Sequence, residues 1–452
     1  MRAEDRVSRK GEYPYYGASG PIDKIDDYLF DGSYLLVGED GANLLARSKP
    51  IAFQAHGKFW VNNHAHVLTT YGEMPLGYFE SYFNLIDLAS YVTGTAQPKL
   101  PQAAMNKIAV PVAPCAEQRR IVATIESYFS RLDDAVKTLE RVERNLKRYR
   151  ASVLKAAVEG RLVPTEAALA RQEGRDYEPA TVLLEHILTE RRRCWSESAK
   201  TGKYQEPTPV DGTNLPELPE GWCWTTLDQL ITEPLANGRS VPTATDGFPV
   251  LRLTCLKEGT IDLTERKIGA WTLQAAEPYL VQRGDFLVAR GNGSIRLVGY
   301  GGLLRQNPDL VAYPDTLIRI RLSSMFLPEF FAQLWNSRWV RSQIEKRAKT
   351  TAGIYKVNQG DLSGCIVPLM PLAEQHRLLE EIERQMSVVI YNEARVRQAL
   401  IHTTRLRQSI LKWAFEGKLA DQDPNDEPAS VLLERIKAER NAPTPAKKKT
   451  RS

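Results

Sequence analysis

Long apolar runs are missing from this 452-residue chain. No stretch of 18 or more apolar residues occurs, which excludes a membrane-spanning helix. Cysteine is scarce and unpaired. The five thiols, at 115, 194, 223, 255 and 365, form no CxxC pair. That excludes a disulfide framework or a cysteine-based zinc site and points to a reducing, cytoplasmic setting. The start, MRAEDRVSRK, is too polar for a secretory signal peptide. Catalytic signatures are missing too. There is no GxxxxGK[ST] phosphate loop and no GxSxG elbow. Asn307-Pro308-Asp309-Leu310 lacks the second proline and the aromatic with which an amino-methyltransferase holds its target base, and it reads as a turn. Asp315 follows Pro314 without the acid-x-Lys that a magnesium nuclease needs. Asn63-His64-Ala65-His66 places two histidines on one strand face, but no carboxylate or cysteine joins them, so an ordinary strand is expected. Neither a cofactor nor a metal is expected. The glycine clusters GEDGAN (38–43) and RGNGS (290–294) read as turns, with a phosphate cradle as the alternative.

The remaining composition is ordinary. Hydrophobic residues make up 42% and charged residues 25%, as in a water-soluble globular protein. The length predicts two to four domains. A net charge of +5 permits a nucleic-acid partner without demanding one. What stands out is a duplication. Residues 114–160 align without a gap to 371–417, with Glu117-Gln118 matching Glu374-Gln375, Ser152 matching Ser409, and Glu159-Gly160 matching Glu416-Gly417. Upstream, Val110-Pro111 matches Val367-Pro368; downstream, EPATVLLEHILTER (from Glu178) matches EPASVLLERIKAER (from Glu427). A repeat this long is no solenoid. It is a two-part unit, a variable region followed by a helix, present twice.

Each repeat predicts a helix of about 44 residues. In the first, positions 121, 125, 128, 132, 135, 139, 142, 146, 149 and 153 form an apolar seam of period 3.5, the coiled-coil signature. In the second, 378 to 410, the seam is interrupted by Gln385, Asn392 and Thr403. Gly160 and Gly417 stand where a helix end favours a left-handed residue. Each helix needs a partner, and the simplest is the other copy packed antiparallel, which makes the chain pseudo-twofold with its globular regions at opposite ends. Glycine-punctuated strands such as FPVLRLTCL, GDFLVARGNGS and DTLIRIRL make 218–370 a mixed α+β domain, and 1–113 shows the same grammar. The predicted order is a first domain (1–113), the central helix and extension (114–195), a linker (196–217), the second domain (218–370), the C-terminal helix and extension (371–440), and a basic tail (441–452). The segment 161–177, longer than its counterpart by eight residues, is expected to be where length can vary.

The stretches YPYYGASGPIDKIDDYLFDGSYLLVGEDGANLL (13–45), VNNHAHVL (61–68) and TGTAQPKL (93–100) resemble one class of target recognition domain, and LPEGWCWTTLDQL (218–230) resembles the start of another. VPVAPCAEQRRI and VPLMPLAEQHRL resemble the central and C-terminal repeats of the same family, the DNA-specificity subunits of type I restriction-modification systems. Nearly the whole chain is covered. The resemblance implies a subunit without catalysis of its own. It would direct two adenine methyltransferase subunits and two ATP-driven translocase-nuclease restriction subunits to a split target on double-stranded DNA, one half-site per domain. One departure is visible. Tyr13-Pro14 aligns with Phe248-Pro249; Pro219 lies 30 residues before Pro249, whereas 13 residues precede Pro14. The first domain is therefore expected to be shortened at its start by at least 17 residues.

Base readers belong on turns at a domain face. Arg and Lys suit guanine edges, and Asn or Gln suits adenine. In the second domain these are Lys257, Arg290, Asn292, Ser294, Arg296, Tyr355 and Lys356; in the first they are Asn43, Gln97 and Lys99. TAQPKL and TAGIYKV hold matching places before each repeat. A phosphate contact would suit any of these residues equally well. Three other readings stay open: a coiled-coil adaptor that binds no nucleic acid, a specificity subunit reading one half-site only, and a self-contained modification enzyme.

Overall fold

A computed structural model describes residues 3–94, 96–197, 203–351 and 353–441. The chain divides into two compact units, one of residues 1–142 with 395–452 and one of residues 143–394. In the first unit five strands, β1 (Lys10–Gly17), β2 (Gly20–Ile25), β3 (Phe30–Gly38), β4 (Ala52–Val61) and β5 (Ala65–Leu68), lie in the order β2-β1-β4-β3-β5. Both faces of β3 are covered, so its end reads Leu-Leu-Val rather than alternating with polar residues. Leu35 and Val37 pack with Leu88, Leu100 and Met105, and with Phe83 of the helix Leu76–Leu85. Leu36 faces the other way, towards Ala55 and Phe59. Tyr16, Phe30 and Tyr34 set their rings within 5.8 Å of Phe59.

The second unit repeats this plan. Its buried strand Phe286–Ala289 runs antiparallel to Gly301–Leu303 on one side and Leu317–Ile320 on the other, as β3 does to β4 and β5. The helix Pro328–Trp335 covers it, with Phe286 edge-on to Phe331 at 5.1 Å. Gly301 is required there, since a Cβ would lie 2.2 Å from the Phe286 ring. Tyr15 pairs in parallel with Trp60, and Val250 bridges in parallel to Ala312. Both follow the aligned prolines by one residue, so backbone pairing supports the match of Tyr13-Pro14 to Phe248-Pro249.

The two repeats are helices of 44 residues each, Cys115–Val158 and Leu372–Phe415. Each ends in a left-handed glycine (φ 66° at Gly160, 67° at Gly417), where the amide of the next residue bonds back to the carbonyl of Ala156 or Trp413 at 2.8 Å. Within each unit they pack antiparallel. In the first, Ile121 and Ile125 meet Ile410, Leu411 and Ala414. In the second, Val153, Ala157 and Val158 share a core with Leu378, Ile382 and Met386.

The seam departs from the expected register at every second step. Tyr128, Val142 and Tyr149 are 37–47% exposed, while their neighbours Phe129, Glu143 and Arg150 are half-buried. The inward path is therefore 125, 129, 132, 136, 139, 143, 146, 150, 153. Three of its positions are charged or carry charge contacts: Glu143 is itself charged, Arg150 pairs with Glu393 at 3.1 Å, and the Arg407 guanidinium lies 4.8 Å over Phe129. A search restricted to apolar residues cannot follow such a path.

The extensions are folded too. Residues 166–173 form a helix capped by Thr165, with Ala167 and Ala170 buried, so 161–177 is not a free spacer. The first extension helix continues to Glu197, and in the linker that follows, the Thr208 and Pro216 carbonyls are bonded by Thr226 and Trp224. The basic tail, from 442 on, lies outside the described residues.

Candidate nucleic-acid interface

In the second unit six of the seven proposed readers come together. Gly291-Asn292 pairs antiparallel with Ile354–Lys356, which pairs in turn with Lys349–Thr351. The result is a three-stranded ribbon at the end of the buried strand Phe286–Ala289. Lys356 stands opposite both Gly291 and Lys349, and Tyr355 opposite Asn292. Asn292 accepts from the Ser294 amide at 3.0 Å, and Ser294 Oγ accepts from the Arg296 amide at 3.3 Å, which fixes the turn. Arg296 and Lys356 are exposed; Tyr355 is half-buried against the core. Arg290 is anchored by its amide to the Thr316 carbonyl at 2.9 Å.

Lys257 is not part of this group. It sits in the separate hairpin of Leu256–Lys257 and Thr260–Ile261, with its ammonium 2.8 Å from Asp262 and 2.9 Å from Glu265. Those bonds push its pKa up to about 12 and leave its charge internally matched.

The first unit contains the same device in smaller form. Lys99 bridges to both Asp40 and Thr93, just as Lys356 pairs with Gly291 and Lys349. The expected correspondence of TAQPKL with TAGIYKV is therefore present in the backbone. Its charge is different. Lys99 pairs with Glu39 at 3.0 Å, and Asp40 with His64 at 2.7 Å. Gln97 is exposed on the turn. Asn43 closes its own loop, accepting from Lys49 N and Ser48 and donating to the Lys49 carbonyl, so both ends of its amide are occupied. His66 bonds the Leu100 carbonyl at 2.8 Å, and among the described residues no cluster of three metal-binding side chains occurs.

Residue types alone did not single out a further basic group. A cleft of 420 Å³ in the second unit is lined by Arg239, Arg252, Lys267, Asp315 and Thr316, among others. It adjoins the ribbon through Arg290, whose Nη1 lies 3.4 Å from the Asp315 carbonyl. Arg239, Arg252 and Lys349 are exposed. The signal for Lys349 was available, since it and Lys356 flank the Gly353 turn of one hairpin. Arg239 and Arg252 are brought to the cleft only by strand pairing across the domain.

Two copies of one mixed domain, each with a turn zipped to a hairpin and each leading into a long helix, define a duplicated recognition-domain architecture. Residues 3–144 match the family described as type I restriction modification DNA specificity domain. The chain is 28% identical over 365 residues to the EcoKI specificity subunit of Escherichia coli K12, covering 78% of this chain and 69% of that protein. It is 23% identical over 457 residues to the Escherichia coli EcoDI specificity subunit, covering 96% and 90%. A solved structure titled for complex assembly and conformational transition of the type I R-M system superposes with a TM-score of 0.62 at 15% identity, over 91% of this chain and 93% of that one, a likeness of fold. Residues 3–144 thus carry a type I specificity domain, and over most of its length the chain is similar to the specificity subunits of type I restriction-modification systems. Among the described residues no helix is long and apolar enough to cross a membrane.

Proposed function

We propose that this chain is the non-catalytic, sequence-reading subunit of a type I complex. It binds double-stranded DNA at a bipartite target and presents it to methyltransferase and restriction subunits. The observation that carries the reading is the second unit's ribbon, where Lys349, Lys356 and Arg296 stand exposed with no ion-pair partner among the described residues, beside a cleft lined by Arg239, Arg252 and Lys267. Such cations match phosphates and guanine edges. The long helices carry exposed apolar side chains, Tyr128, Val142, Ile390 and Tyr391, of the kind that partner subunits cover.

One observation favours a second reading, in which one half-site dominates. The first unit's ribbon is acidic on one strand, with Glu39 and Asp40 where the second unit has Arg290 and Gly291. The test is DNA binding and adenine methylation by the chain together with its methyltransferase subunit. Lys349→Ala with Lys356→Ala is expected to flatten the dependence of log affinity on log salt by about 2, roughly 0.9 per phosphate contact. An unchanged slope removes the ribbon from the interface. Methyl transfer by the chain alone would support an enzyme, and binding indifferent to salt an adaptor.

A further inference from the structure

One acid stands among the cations of the second unit's cleft. Asp315 is half-buried and lines that cleft with Arg239, Arg252 and Lys267. Among the described residues no cation pairs with its carboxylate and no hydrogen bond reaches it. Lys267 donates instead to the Val241 carbonyl at 2.7 Å, and Arg290 bonds the main-chain carbonyl of Asp315 rather than its side chain. Arg239 and Arg252 are exposed. A free carboxylate beside cations suited to phosphates weakens any binding that ignores sequence, because it repels a polyanion. It is useful only to a ligand that brings a donor.

The backbone that carries Asp315 is fixed on both sides. The Thr316 carbonyl accepts from the Arg290 amide at 2.9 Å, and the Leu317 amide bonds the Pro314 carbonyl at 3.0 Å. Gly238 lies against the other side, where a Cβ would stand 2.3 Å from the Tyr313 and Pro314 carbonyls. Arg290 continues into Gly291-Asn292, so this turn and the ribbon form one platform. The first unit has the same turn. Gly38 pairs with Ala65 as Ala289 pairs with Leu317, which puts Asn63 in the place of Asp315. The His64 carbonyl accepts from the Glu39 amide at 2.8 Å, as Thr316 does from Arg290. The Leu100 amide then bonds the Glu39 carbonyl at 2.7 Å, as Val357 bonds that of Arg290 at 3.0 Å. One backbone therefore presents a carboxylate in one unit and an exposed carboxamide in the other.

We propose that Asp315 determines one base of the second unit's half-site, by accepting a hydrogen bond from the N4 amino group of cytosine in the major groove. This role rests on the DNA-binding reading of the unit and adds what one of its side chains selects. An ionised carboxylate can only accept. Cytosine offers it a donor, guanine offers acceptors, and adenine sets the N7 acceptor beside its N6 donor, where a carboxylate is repelled. Thymine offers an acceptor and a methyl group. Arg239 and Arg252 on the same cleft meet the flanking phosphates and hold the acid at the base edge. Asn63, with a donor and an acceptor together, suits adenine from the matching place. The duplicated scaffold thus carries two selectivities at one position.

The test uses the full chain with its methyltransferase subunit, carrying Asp315→Asn, a change of nearly equal shape, or Asp315→Ala. Binding is titrated against duplexes with the wild-type motif or with single base-pair changes, and the methylated motif is sequenced. Discrimination at one C·G pair of one half-site should fall about tenfold or more, while the other positions, the gap and the salt slope stay the same. Asp315→Asn should also admit A·T at that pair, and Asp315→Ala should relax it without preference. An unchanged motif overturns the assignment and leaves DNA binding by the unit intact. An equal gain in affinity for every duplex overturns it as well, since Asp315 would then be a repulsive charge and nothing more. So does an equal loss with a lowered unfolding temperature, which would make the turn structural. A wild-type complex that binds no DNA would instead defeat the DNA-binding reading, and this role with it.

Discussion

Glu166 is a carboxylate with 6% of its side chain exposed, tolerable only because cations face it. Arg377, from the start of the second long helix, stands 2.6 Å away, and Arg175 also 2.6 Å away; the Glu166 amide is bonded to Glu374 at 2.9 Å. Burial raises the Glu166 pKa, but the two guanidinium bonds outweigh it and hold the carboxyl below its ordinary value. Its contribution to stability is therefore present at neutral pH and lost as pH falls through that depressed value. Arg377→Ala should cost on the order of 1–3 kcal/mol at pH 7, with the difference from wild type shrinking at acid pH as the carboxyl protonates through its depressed value. Urea unfolding at the two pH values checks it; a cost that does not change with pH would mean that packing, not charge, is what is lost. Arg120 and Asp426, 2.6 Å apart in the first unit, hold the equivalent place, but Arg120 is more exposed, so Arg120→Ala should cost less. The thiols give a second test at this scale. Burial pushes Cys223 and Cys365 up to about 11 and Cys255 up to about 12. At pH 8 a thiol of pKa 11 is about 0.1% thiolate, so these three should resist alkylation in the folded chain and react after denaturation. Mass mapping that found Cys255 modified under native conditions would contradict the fold around it.

At the scale of elements, the sequence marked out the helices well and their facing sides less well. Length, glycine ends and antiparallel pairing could be read, because a repeat and a period survive any local ambiguity. The inward face could not, because Phe129 stands beside Tyr128 and Val136 beside Ala135, and only the partner helix decides between them. Mutation separates the two faces. Ile125→Ala, at a site 3% exposed, should cost about 2–5 kcal/mol, whereas Tyr128→Ala, at 42%, should stay within about 0.5 kcal/mol. Equal losses by chemical denaturation would restore the strict 4-3 seam. The polar seam positions also divide. Asn392 and Thr403 bond carbonyls of their own helix, Val388 and Leu400, while Gln385 accepts from Tyr149 across the pair at 2.9 Å. Gln385 is the one of the three placed to fix helix register. The ribbon was legible for the same reason as the helices: glycine turns and hairpin residues recur in both copies. That Lys257 is satisfied by Asp262 and Glu265 was not legible, since charge pairing depends on how a hairpin closes.

At the scale of the whole molecule, modularity is the property to test. Replacing residues 218–370 by the corresponding domain of a relative should change one half of the methylated motif and leave the other intact. Methylome sequencing would detect a change in both halves, which would deny that each domain reads for itself. The composition of the two units has another consequence. The second, residues 143–394, is one uninterrupted stretch of chain, whereas the first is built from two segments, 1–142 and 395–452, that flank it in the sequence. A ribosome therefore delivers everything the second unit needs before the first has received its last helix, since Ile410, Leu411 and Ala414 close the cluster around Tyr78, Ile121 and Ile125. The unit begun first is completed after the second, and until residues 410–414 are made its Ile121 and Ile125 lack the side chains that bury them. A stop codon between positions 395 and 410 would thus spare the second unit and injure the first.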